Sequence, residues 1–177
     1  MYRATSNSGP DTPFVGPPWW LATLWLLAAL LFQLVAARWF TLRDAIPSAV
    51  LVAVVYYAIR VDTRRAAIYG LAAGLCDDLL STGTGGAWTI ATTLVAIFAG
   101  MLSRNFFADS LLLAASMAAV ATLLRNTIFW IVRSAQGYPS GMAGLHFHQM
   151  LWQALLNAAL IAIVIFLGRW RENYRTG

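Results

Sequence analysis

Asp77 and Asp78 are set inside an apolar stretch, Gly70-Leu-Ala-Ala-Gly74-Leu-Cys-Asp77-Asp78-Leu-Leu. Carboxylates in such surroundings do one of two things: they form an ion, proton or ligand site, or they lock helices together through a polar group opposite. Either way they need a partner, because an unpaired charge in an apolar medium costs several kcal/mol. At about 100° per residue, Gly74, Asp77 and Asp78 sit about 40°, −20° and 80° from Gly70 on a helical wheel. One face therefore carries both glycines and at least one carboxylate, and that face must look inward. The GxxxG pair Gly70 and Gly74 lets a second helix backbone approach closely.

Arg125 and Asn126 interrupt a second apolar run. Counted at 1.5 Å per residue from the same end of the bundle, the aspartates lie about 17 to 18 Å along their helix and Arg125 about 21 Å along its own. The levels are close enough for an aspartate to Arg125 ion pair, which would offset much of the cost of both charges. The alternative is that Arg125 snorkels outward alone. Gln149, Gln153 and Asn157 recur every four residues and form one polar stripe on a helix, suited to interhelical hydrogen bonds or, less readily, to a lined pathway.

These groups need apolar helices to position them. Hydrophobic residues make up 60% of the 177, charged residues 11%, and mean hydropathy is +0.67. A water-soluble domain carries about 25% charged residues, so most of this surface faces lipid. Apolar spans run over 19–37, 46–59, 66–80, 87–102, 111–132 and 150–167, predicting an all-α, polytopic membrane bundle of about six helices. The second span is short for the ~20 residues that cross a bilayer. The 12 basic residues are all arginine, and the 11 outside Arg125, which lies within a span, settle whether it counts. With six spans, one side holds Arg3, Arg60, Arg64, Arg65, Arg104, Arg169, Arg171 and Arg175, against Arg38, Arg43 and Arg133 on the other. That asymmetry places both termini in the cytoplasm, and Trp19, Trp20 and Trp170 fit an aromatic belt. The chain divides into a flexible tail over 1–17, a membrane domain over 18–168 and a basic tail over 169–177. A net charge of +5 would suggest nucleic acid in a soluble protein; here the arginines end hydrophobic runs and mark topology.

Catalysis has no residues to carry it: no nucleophile has an obvious base at its membrane level. His146 and His148, read as residues of an outer loop over 134–149 with Tyr138, lack a third metal ligand. Gly83, Gly85 and Gly86 make a turn rather than a P-loop, since no GK[ST] follows. Cys76, the lone cysteine, is a small packing group, and no cofactor is implied.

The stretch Gly74-Leu-Cys-Asp-Asp78, the turn 81–86, the apolar helix 87–100 and then Arg104 together resemble the MreD family of the bacterial rod-shape machinery. On that resemblance Asp78 takes the family's aspartate position and Gly86 its second glycine, counted with Gly70 and Gly74 among the helix-packing positions. Asp77 departs from the pattern, which usually has an apolar residue there, and helical geometry alone does not separate the two aspartates. The resemblance implies a non-enzymatic scaffold that binds the single-pass protein MreC. It further implies association with MreB filaments, RodA and its partner transpeptidase in peptidoglycan synthesis, with membrane lipid around the chain and no nucleic acid. The family is similar in fold to the substrate-binding subunits of energy-coupling-factor transporters, which supplies the alternative of a vitamin-type uptake subunit.

Overall fold

The computed structural model describes residues 16–35, 37–81, 83–106, 110–137 and 143–176. They form six helices and no strand: α1 (Trp19–Val35), α2 (Ala49–Ala58), α3 (Thr63–Leu80), α4 (Ala87–Phe106), α5 (Leu111–Ala135) and α6 (Ala143–Thr176), with a short 3-10 turn at Ala37–Phe40. The bundle is a helical membrane fold, turned inside out relative to a soluble one. Leu71, Leu75 and Leu79 on α3 and Leu151, Leu155 and Phe166 on α6 point outward, while Asp77, Thr92, Thr122, Arg125, Asn126 and Asn157 are buried. By length and apolarity, 111–135 and 144–171 are each sufficient to cross a membrane.

The short second span is the hub. Its sequence, Ala-Val-Leu-Val-Ala-Val-Val-Tyr-Tyr-Ala, is apolar on every side, and such a helix is stable only when surrounded. Indeed α2 touches all five other helices. At 10 residues it is about 15 Å long, too short for a bilayer core. The chain reaches its start through a tight turn in which Leu42 and Ala45 exchange backbone hydrogen bonds of 3.0 Å, with Arg43 and Asp44 both at positive φ. Ser48 then caps the helix, its Oγ accepting from Leu51 N.

Against α2, the helices α3 and α4 make the closest pair. A Cβ built on Gly70 would stand 2.4 Å from Ala96 Cβ, and one on Gly74 would stand 2.6 Å from Thr89 Cα. The GxxxG face is thus a backbone contact in which no larger side chain fits. Gly86 is different: nothing lies within 4 Å of its Cβ position, and its φ of +83° is what demands glycine. Its expected packing role is corrected to a turn role.

The other departure is at α6. The apolar run suggested a start at 150, yet the helix begins at Ala143 and continues to Thr176, taking in most of the expected basic tail. With α5 running to Ala135, residues 134–135 and 143–149 of the expected outer loop are helical. Polarity misled here: His146, His148 and Gln149 end the lipid-facing hydropathy without ending the helix, because none of them breaks helical hydrogen bonding. Residues 1–15 of the expected tail over 1–17, and Tyr138, lie outside the described residues.

Candidate functional site

The site is built around Arg125, 3% exposed at the middle of α5. Its Nη2 donates to Asp77 Oδ2 on α3, its Nε to Thr92 Oγ1 on α4 at 3.0 Å, and its Nη1 to Ser48 Oγ at the start of α2 at 2.9 Å. The guanidinium carbon lies 4.3 Å from the centroid of the Trp88 ring, a cation–π contact strengthened by desolvation. One side chain joins four helices. The planar fork does this because each nitrogen points in a fixed, different direction; an ammonium would not. The snorkelling alternative is excluded by this burial, and the choice between the two aspartates is resolved in favour of Asp77.

Asp78 faces the other way around the helix and caps α4 from outside. Its Oδ1 accepts from Thr84 Oγ1 at 2.6 Å and Trp88 N at 3.2 Å, and its Oδ2 from Thr89 N at 2.8 Å and Thr89 Oγ1 at 2.5 Å. A carboxylate at a helix N-terminus satisfies N–H groups that have no intrahelical acceptor and complements the helix dipole. The contact depends on Gly74, whose missing side chain lets Thr89 come within reach. The glycine turn that delivers the chain to α4 is in turn held by α5: Arg133 Nη1 donates to Gly83 O at 2.8 Å and Gln136 Nε2 to Gly85 O at 3.1 Å.

A second polar layer joins the buried start of α2 to the outer helices. Ser48 N donates to Asn157 Oδ1 at 2.7 Å, and Ala49 N to Gln33 Oε1 of α1 at 2.8 Å. Asn157, fully buried on α6, donates from Nδ2 to Thr122 Oγ1 at 2.9 Å. Asn126 Nδ2 bonds Gln153 Oε1 at 2.8 Å, and Gln153 Nε2 donates to Ile46 O, also at 2.8 Å. Non-helical backbone inside a membrane fold needs internal partners, and these side chains provide them for Ile46, Ser48 and Ala49. Gln149, the third member of the stripe, is only half-buried, near the start of α6.

His146 and His148, expected in a loop, stand on α6. His146 stacks at 5.2 Å on Trp130 and faces Asn126 O at 3.4 Å, while His148 Nε2 accepts from Trp152 Nε1 at 3.3 Å. Among the described residues no group of three His, Cys, Asp or Glu side chains is placed to hold a metal.

Sequence reasoning passed over Gln33, Ser48, Trp88, Thr89, Thr92 and Thr122, which supply many of these partners. Ser48 had a signal, a capping residue immediately before an apolar run. The threonines had none: inside a helix a hydroxyl usually bonds back to its own turn, as Thr93 Oγ1 does to Thr89 O at 2.7 Å.

Polar groups from six helices thus meet in one connected interior, and each charge there is answered by a neighbour. This defines a helical membrane protein with a charged, hydrogen-bonded core. Residues 16–170 match the family model described as rod shape-determining protein MreD, and the chain belongs to that family. No curated protein and no solved structure matches it.

Proposed function

We propose that this chain is a non-enzymatic, multi-pass scaffold subunit of the cell-wall elongation complex. Both termini lie in the cytoplasm, and the chain binds MreC and through it helps organise peptidoglycan synthesis with RodA, its partner transpeptidase and MreB. Family membership supports the rod-shape role. The observation that favours a scaffold is that the Arg125 guanidinium is spent on joining helices: each of its three nitrogens donates to a different helix, to Asp77, Thr92 and Ser48, and the Trp88 ring covers its face. The arginine asymmetry supports the orientation.

Affinity purification of the tagged full chain from native membranes tests the reading. Recovery of a single-pass coiled-coil partner is expected. Recovery of a transporter ATPase without that partner would replace the scaffold with an uptake subunit.

A further inference from the structure

A groove of about 440 Å³ opens between α1, α2 and α6, walled by apolar side chains that include Trp25, Phe32, Val52, Leu160 and Leu167, with Tyr56 at one end. On each of the three helices it covers eight residues, 25–32, 49–56 and 160–167, or about 10 Å of helix. At its far end the polar layer around Ser48 and Asn157 begins. Its near end is basic. One turn past Tyr56 stands Arg60, whose guanidinium carbon lies 3.6 Å from the Tyr56 ring centroid, so its charge lies one ring's thickness from the groove. One turn past Leu167 on α6 stands Arg171, exposed.

We propose that this groove seats an acyl chain of an anionic phospholipid, with Arg60 and Arg171 holding the phosphate. The dimensions suit a lipid rather than a crossing helix. From the arginines to the end of the groove is about 16 Å, the thickness of one leaflet in a hydrocarbon core of about 30 Å, whereas a transmembrane partner must continue to the other side. Charge suits it as well: basic side chains at the interfacial end of an apolar cleft between membrane helices are the arrangement that selects anionic headgroups. The inference goes beyond the scaffold reading and does not depend on MreC.

The test is lipid retention by the full chain, purified in mild detergent and measured by native mass spectrometry with dioleoyl phosphatidylglycerol or dioleoyl phosphatidylcholine as probe. The wild-type chain is expected to retain one phosphatidylglycerol in preference to phosphatidylcholine. Arg171→Gln, a surface change that leaves the fold intact, should reduce the preference roughly five-fold, and adding Arg60→Gln should reduce it by a similar factor again. Ala53→Phe, which fills the groove, should abolish retention of both lipids. Equal retention of the two lipids by the wild-type chain would overturn the proposal, as would an unchanged preference in the double arginine variant. Loss of a co-purifying single-pass partner in Ala53→Phe, with lipid retention unaltered, would assign the groove to a protein helix instead and overturn it too.

Discussion

Removing both members of the Asp77–Arg125 pair should damage the protein less than the two single removals added together. Asp77→Ala leaves a guanidinium that is 3% exposed facing an apolar gap, with only Thr92, Ser48 and the Trp88 ring around it. Breaking a buried pair in this way costs about 3–5 kcal/mol. Arg125→Ala strands Asp77 at similar cost and also ends the bonds to Thr92 and Ser48, each worth about 0.5–1.5 kcal/mol, so it should be the worse of the two, at about 4–8 kcal/mol. In the double variant no charge is stranded. Its loss should fall short of the summed single losses by about 2–3 kcal/mol, the upper part of the roughly 0.5–3 kcal/mol coupling of residues in direct contact. Unfolding titrations of the purified variants in mixed micelles, fitted as a double-mutant cycle, give that coupling. A sum that holds within about 0.5 kcal/mol would refute the ion pair as a coupled unit and with it the account of how Arg125 is tolerated.

Other perturbations separate the remaining contacts. Gly74→Leu, which drives a side chain into the Thr89 backbone, should sharply reduce detergent-extractable folded yield, while Leu71→Ala on the exposed face should leave it nearly unchanged; equal yields would refute the close α3–α4 contact. Asp78→Asn keeps one acceptor oxygen for the first turn of α4 and should cost about 1 kcal/mol, against about 2 kcal/mol or more for Asp78→Ala, measured by the same titration. Asn157→Leu strands Ser48 N and should destabilise by about 1–3 kcal/mol, with a loss under 0.5 kcal/mol contradicting its role in holding the start of α2. Alkaline phosphatase fused after residue 137 should be active and fused at residue 177 inactive; the reverse pattern would invert the topology.

The helices were legible in the sequence wherever lipid-facing apolar residues ran without interruption, and α1 to α5 lie close to the expected spans. The start of α6 was not legible, because hydropathy reports the solvent around a helix rather than its hydrogen bonding. Asp77, Asp78, Arg125, Asn126, Gln153 and Asn157 stood out as polar groups in apolar surroundings, and the structure gathers all but Asp78, which caps α4, into one interior. Which aspartate met Arg125 was hidden, since a difference of 100° around α3 depends on how the α3–α4 pair is rotated against α5. The Gly74 to Thr89 approach decides it, turning Asp78 onto the start of α4 and Asp77 toward α5. Ser48 and Thr92 were hidden for a related reason: small hydroxyls become partners only once the arginine between them has been placed.

The central claim is that the intramembrane charges hold the subunit together and carry no cargo. It is tested most directly by replacing the pair with apolar residues of similar reach, Asp77→Leu with Arg125→Met, in cells whose only copy is this variant. Such replacements of buried ion pairs are often neutral or stabilising. The account predicts rod-shaped cells, with cell width and the amount of folded subunit close to those of cells carrying the unaltered chain. Spherical cells containing a normal amount of folded, partner-bound subunit would contradict it, because the charges would then be doing something that packing alone does not require.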